Sequence, residues 1–326
     1  MNKDCNIQIM KIKIGSTGTG STDGLASQLL CKVNVMLFAD KYNFDYVHVP
    51  FDDSFIRGNS GHRYGDFSTA FQNLVFTFPG SELVNPIDLD LKKVRRLCNS
   101  IVAKDGTLFY GQSNTFLESG LSTEETISKI LEFINLNLDC ELILIDGFPN
   151  LFINDLGKYY EISSPTQRVI NPIFNYFSCP GEINAEDKLK IAFHVRRGDV
   201  DKERYPDRYL DESYFNNIGA SLESYLKSMG IRYSMYVHTE DEDLQLDFEC
   251  KLLVDPNPIR DFINIGNADI VVASRSAHSS VPPLISGSLA LVPEHNWLPS
   301  LPKWIKVKDD GYFDVALLDS FVRKMG

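Results

Sequence analysis

Leu189-Lys190-Ile191-Ala192-Phe193-His194-Val195-Arg196-Arg197-Gly198-Asp199 joins an alternating apolar run to two arginines, a glycine and an aspartate. Leu189, Ile191, Phe193 and Val195 alternate with Lys190, Ala192 and His194, the period of a strand with one face buried. In an open α/β sheet, ligands gather beyond the carboxyl ends of the strands, so Arg196, Arg197 and Asp199 fall where such a sheet keeps its chemistry. A guanidinium stays charged and presents a planar fork matched to phosphate oxygens. The pattern therefore points to an anionic ligand, a diphosphate above all. The plainer alternative is a solvated turn closed by an Arg–Asp pair.

Working outward, the chain keeps alternating strand and helix. Downstream the pattern predicts a helix over 213–229, a strand over 233–238, a short apolar run at 252–254, a helix near 259–265 and strands over 269–273 and 289–292. Upstream it predicts a strand over 8–14, a helix from Leu25, Leu29, Val33, Met36 and Leu37, a strand over 46–49, and a helix over 123–138. A buried strand over 142–145 follows, ending in Asp146-Gly147. Such alternation implies parallel sheets with right-handed crossovers. Turn chemistry at Ser178–Asn184 sets the expected boundary between a first Rossmann-like domain, 1–180, and a second, 181–326. Lys92, Lys93, Arg95 and Arg96 read as a solvated helix face. The last helix, 315–325, is a candidate to pack back across the first domain.

Composition bounds the possibilities. The 326 residues, 43% of them hydrophobic, suffice for two ordinary cores. With 44 acidic against 32 basic side chains the net charge is −12, which argues against broad binding to nucleic acid or anionic membranes. Six cysteines are scattered without a C-x-x-C pair, suggesting neither a zinc site nor a disulfide framework. No apolar signal core or membrane-spanning run is present in the sequence, so a cytoplasmic location is expected.

The loop Gly15–Gly24 invites two familiar readings, and both fail on detail. A P-loop needs a lysine at its end, and none is there. A dinucleotide fingerprint starting at Gly18 and Gly20 meets Asp23 at its third position, one residue before Gly24. A turn that lets backbone approach a helix N-terminus remains, with Gly24 and Gln28 as its ligand-facing candidates.

His194-Val195-Arg196-Arg197-Gly198-Asp199 resembles the His-x-Arg-x-x-Asp motif of the α1,2-, α1,6- and O-fucosyltransferases, which use GDP-fucose on a GT-B fold. Gly24-Leu25-Ala26-Ser27-Gln28-Leu29 is similar to that family's first motif. Tyr236–Asp241 looks like its strand ending in Thr/Ser-Asp-Asp, and Ala268–Ser279 like its closing Ser-x-Ser turn. The resemblance implies an α/β architecture of two Rossmann-like domains facing a cleft, the C-terminal one binding the nucleotide sugar. It implies an inverting, metal-independent transferase that needs no cofactor beyond its donor and moves fucose to a glycan or glycoconjugate hydroxyl.

In that frame Arg196 would neutralise charge on the departing diphosphate, with Arg197 and His194 in support and Asp199 orienting an arginine. Thr239 and Asp241 would read base or ribose; Ser274, Ser276 and Ser279 would hold phosphate at a helix N-terminus, or simply cap the helix. Glu203 is closest in offset to the family's proposed base, ahead of Asp201 and Asp207. His62, Arg63 and Tyr64, in an aromatic polar region, are acceptor-side candidates, with a surface loop as the alternative. Four other readings stay open: another nucleotide sugar such as a pentose donor, a metal-dependent transferase, a non-catalytic sugar-nucleotide-binding module, and, weakest, a Rossmann oxidoreductase. The metal would sit on an Asp-x-Asp such as Asp199-Val200-Asp201, Asp88-Leu89-Asp90 or Asp241-Glu242-Asp243.

Overall fold

The structure, a computed structural model, describes residues 12–16, 25–48, 82–83, 91–99, 114–117, 120–147, 188–254, 258–295 and 304–323. Twelve strands are described: β1 (Lys13–Gly15), β2 (Asp45–His48), β3 (Glu82–Leu83), β4 (Val94–Asn99), β5 (Asn114–Leu117), β6 (Leu142–Asp146), β7 (Leu189–Val195), β8 (Tyr233–Thr239), β9 (Lys251–Val254), β10 (Ile270–Val272), β11 (Leu289–Pro293) and β12 (Trp304–Val307). Six α-helices accompany them: α1 (Leu25–Lys41), α2 (Thr123–Asn135), α3 (Glu212–Ser228), α4 (Pro258–Gly266), α5 (Ala277–Ser286) and α6 (Val315–Val322).

The strands form two six-stranded sheets that belong to two compact units, β1–β6 in one and β7–β12 in the other. Strand order is β3-β2-β1-β6-β4-β5 in the first and β12-β11-β10-β7-β8-β9 in the second, and the paired strands run parallel throughout. The α/β expectation holds. Numbered from β7, the second sheet has the order 6-5-4-1-2-3, the doubly wound arrangement of dinucleotide-binding sheets. Its chain runs from β7 outward through β8 and β9, then returns to start again at β10 on the other side of β7. A crevice opens outside the carboxyl ends of two neighbouring strands whose connections leave in opposite directions, here β7 and β10.

Alternation along β7 sorts its two faces. Ile191, Phe193 and Val195 enter one buried cluster with Tyr214, Phe215, Ile218 and Leu222 of α3 and Leu318 and Val322 of α6. His194 therefore faces the other way, toward α4 and α5. Gly219 inside α3 is explained by this packing: a Cβ there would stand 2.3 Å from the Phe248 ring, which itself lies 4.8 Å from Phe193 between centroids. α6 places Leu318 and Val322 in the second unit's own core, and Tyr225 Oη donates to Asp319 at 2.9 Å.

In the first unit, α1 is buried on nearly every face, Lys32 and Asn34 included, and so lacks the one-sided pattern of a surface helix. α2 is the opposite case, with only Ile130 and Ile134 buried and a full capping box between Ser122 and Glu125. One expectation is corrected, that for Lys92–Arg96 as a solvated helix face. Lys92 and Lys93 lie in a 3-10 turn, but Arg95 and Arg96 belong to β4, and Arg96 is 4% exposed because a buried carboxylate, Asp146 on β6, holds its Nε at 2.8 Å. The expected domain boundary at 180/181 lies outside the described residues.

Candidate functional site

The crevice between β7 and β10 is built by two turns. After Val195 the chain folds back through Gly198, whose φ of +70° is a conformation glycine adopts without strain. A Cβ there would also meet the Glu240 side chain at 3.0 Å, so the glycine lets the loop after β7 close against the loop after β8. Asp199 returns from this turn to grip Arg196 at two points, Nε to Oδ1 at 2.9 Å and Nη2 to Oδ2 at 2.5 Å. The third arm, Nη1, donates to Ser276 Oγ at 3.3 Å. Asp199 thus fixes the plane of the Arg196 guanidinium, which remains partly exposed at 23%.

Ser276 is the N-cap of α5 and accepts from the amide of His278 at 3.2 Å. The turn leading to it is stapled by Ser279, whose Oγ accepts from the amide of Ser274 and lies within hydrogen-bond distance of the carbonyls of Ser274 and Ser276. Ser274 and Ser279 are buried and hold the turn, while Ser276 joins the cap to the arginine. A partly exposed arginine beside the amino end of a ten-residue helix makes an anion-favouring position, since first-turn amides and the helix dipole carry partial positive charge.

His194 is 8% exposed and its Nδ1 lies 2.8 Å from Ser274 Oγ, which ties the end of β7 to the Ser-x-Ser turn. Burial, then the neighbouring His278, Arg196 and His238, keep its imidazole well below the ordinary histidine range, so the ring is neutral. Arg197 was expected at the ligand, but its donors are taken up inside the fold. Nη1 donates to the carbonyl of Arg196 at 2.9 Å, and Nη2 donates to that of Leu210 at 3.1 Å and to Glu212 Oε1 at 2.6 Å. The group stacks 4.4 Å from the Tyr209 ring. Arg197 braces the arginine turn against the start of α3.

Thr239 ends β8 in register with Val195, and Asp241 lies two residues beyond it. Their hydrogen bonds here are local: Thr239 Oγ1 accepts from the amide of Asp241 at 3.2 Å, and Asp241 from that of Asp243 at 3.0 Å. Glu203 sits on an exposed turn that Asp201 closes by accepting from the amides of Glu203 and Arg204 and pairing with the Arg204 side chain. Both carboxylates of Asp199-Val200-Asp201 are therefore engaged by arginines, and no group of three metal-ligating side chains occurs among the described residues. Gly24, His62, Arg63, Tyr64 and Asp88–Asp90 lie outside the described residues; Gln28 falls within α1.

Sequence reasoning missed three participants. His238 on β8 stands beside His194 in register and pairs through Nδ1 with Asp261 Oδ1 of α4 at 2.8 Å. His278, in the first turn of α5, brings its ring to 5.3 Å from that of His194. Arg275 ties the turn after β10 to the Asp207 carbonyl and to Asp309. The parity of His194 and His238 at adjacent strand ends was the available signal for the first.

The first sheet carries its own polar cluster at matching strand ends. Ser16, just past β1, donates to Asp146 Oδ1 at 2.8 Å, and Lys32 Nζ donates to the Ser16 carbonyl at 2.5 Å. Lys32 is 1% exposed and Asp146 fully buried. Burial pulls the Lys32 ammonium down to about 7 against the opposing attraction of Asp146, and burial together with Asp146 pushes the Tyr46 phenol up.

No helix among the described residues is long and apolar enough to cross a membrane. No protein-family model matches the chain, and no curated protein matches its sequence. Among solved structures it is similar to POFUT1 in complex with GDP, at 11% identity and a TM-score of 0.44, over 92% of this chain and 98% of that one. It is similar also to E. coli ADP-heptose lps heptosyltransferase II, at 10% identity and a TM-score of 0.46, over 97% of this chain and 99% of that one. Likeness at this level concerns the path of the chain and carries no inference about ligand.

Proposed function

We propose that the chain is a glycosyltransferase that binds a nucleoside diphosphate sugar at the β7–β10 crevice and transfers its sugar to a glycan or glycoconjugate hydroxyl, on a GT-B arrangement and without a metal. The observation that carries this reading is the convergence of Arg196, held in plane by Asp199, with the Ser276 cap of α5 at the switch point of a doubly wound sheet. Departure of a diphosphate from an anomeric carbon builds negative charge on phosphate oxygens, and a preoriented guanidinium beside a helix N-terminus stabilises that charge with little reorganisation. His194 supports the turn that carries Ser276.

The motif's resemblance to the fucosyltransferases favours GDP-fucose as donor. Glu203 is the proposed base toward the acceptor, with Thr239 and Asp241 toward base or ribose, Gly24 and Gln28 toward the donor, and His62, Arg63 and Tyr64 toward the acceptor. The test is donor hydrolysis and transfer to an oligosaccharide panel with GDP-, UDP- and ADP-sugars, before and after exhaustive chelation. Turnover that survives chelation supports the reading. Turnover that vanishes with chelator and returns with manganese or magnesium moves the charge-bearing role to a metal on Asp-x-Asp carboxylates. Nucleotide binding with no turnover on any acceptor or water would leave a binding module only.

A further inference from the structure

Behind Arg196, on the sheet face opposite α3, three histidines converge from three elements. His194 comes from the end of β7, His238 from its register partner on β8, and His278 from the first turn of α5. The charged groups facing them are Arg196, beyond β7, and Asp261, on α4; the Phe262 ring meets His278 edge-on at 5.5 Å and closes the layer. Asp261 Oδ1 lies 2.8 Å from Nδ1 of His238, and because a carboxylate only accepts, Nδ1 carries the proton. Nε2 is the nitrogen left to the layer. It is buried and has no hydrogen-bond partner among the described residues, an arrangement that costs roughly 1–3 kcal/mol in a protein interior.

Burial, with His238 and Arg196 adding to it, pulls His278 down to about 4, and His194 is lowered for the same kinds of reason. An anion bound over Arg196 offsets the field of that guanidinium and favours the charged form of a nearby imidazole. His278 is only partly buried, so a proton from solvent can reach it.

We propose that this histidine layer takes up a proton from solvent when the diphosphate of a sugar nucleotide binds over Arg196, the proton being held among the rings of His194, His238 and His278. Asp261 is the positioning residue, since it fixes which nitrogen of His238 accepts. The layer places a second positive charge behind the departing diphosphate, drawn from solvent rather than from a metal. The inference rests on the donor site proposed above.

The experiment is titration calorimetry with GDP-fucose, UDP-glucose and ADP-glucose in buffers of differing ionisation enthalpy. Each diphosphate is esterified at both ends, so any proton taken up near neutrality belongs to the protein. The expected result is proton uptake that is measurable at about pH 6 and vanishes at about pH 9, with affinity rising as the solution is acidified between them. Uptake is lost in His238→Leu and reduced in Asp261→Asn. Imidazole nitrogen NMR of the unsubstituted protein gives the same answer without a variant: one ring becomes doubly protonated on binding while His238 keeps its Nδ1 proton. Binding without uptake, or uptake unchanged in both variants, overturns the proton layer and leaves the donor site standing. If none of the three sugar nucleotides binds, the donor site falls and this inference with it.

Discussion

The two sheets differ at the carboxyl ends of their first strands and of the strands paired beside them, β6 next to β1 and β10 next to β7. At the carboxyl ends of β1 and β6, Ser16, Lys32, Arg96 and Asp146 satisfy one another out of contact with water. At the ends of β7 and β10 histidines and serines are buried beside Arg197 and Asp261, whereas Arg196 stays 23% exposed, held by an aspartate that is itself 36% exposed. A buried ion cluster holds a chain in place; an arginine held in plane at the surface, beside a helix cap, presents charge to something else. The contrast marks the first cluster as architecture and supports the proposed ligand site at the second.

Removing one arginine from each end gives the largest expected separation. Arg96→Ala leaves Asp146 buried without its guanidinium and destabilises the first unit by about 3–5 kcal/mol. Arg196→Ala, at a partly solvated pair, changes stability by roughly 1 kcal/mol or less. Chemical denaturation followed by hydrogen exchange, which separates the units, checks both. Equal losses would erase the distinction between a structural and a presented arginine.

Next in size is Gly198→Ala. The left-handed backbone costs a non-glycine residue about 1–2 kcal/mol, and the new Cβ presses on the Glu240 side chain, so the turn that lets Asp199 reach Arg196 loosens. Stability of the second unit drops by that amount, and nucleotide affinity falls with it. Unchanged affinity would show that Asp199 does not set the guanidinium plane.

Acid and base separate the two ends by their windows. In the first unit burial pulls the folded Lys32 down to about 7 from the ordinary lysine value of 10.5. The unfolded chain therefore binds the extra proton between these values, and stability falls as pH drops from about 10.5 to 7 and is flat below. In the second unit His278 titrates at about 4 against 6.5, and His194 is lowered in the same direction, so stability falls as pH drops from about 6.5 toward 4. Lys32→Met should remove the first window and His278→Gln diminish the second, read as pH-dependent exchange in each unit. A single shared window would contradict the assignment.

Much of this was legible in the order of residues, and the gaps have physical causes. Alternation gave β7 and β8, and a continuous apolar run gave β6, to within a residue or two, because the carboxyl half of each strand is buried. Val94-Arg95-Arg96-Leu97 hid β4, since Arg96 is buried by a partner on β6, fifty positions away, that no local pattern reveals. Pro282 and Pro283 obscured the length of α5, although its cap at Ser276 was readable. At the site, the pairing of Arg196 with Asp199 could be anticipated from a spacing of three. The inward turn of Arg197 could not, because it depends on Leu210, Glu212 and Tyr209 meeting it from the far end of the next loop.

The central claim is that Arg196 and the α5 cap receive a diphosphate. Calorimetry of GDP binding to the unsubstituted chain and to Arg196→Ala, with UDP and ADP alongside, tests it most directly. The account predicts that GDP binds, that it stabilises the chain by about 2.7 kcal/mol at a hundredfold excess over its dissociation constant, and that Arg196→Ala loses about 10²–10³ in affinity while staying folded. A folded Arg196→Ala chain that binds GDP as tightly as the unsubstituted one, or no binding of any of the three nucleotides to the unsubstituted chain, would contradict it.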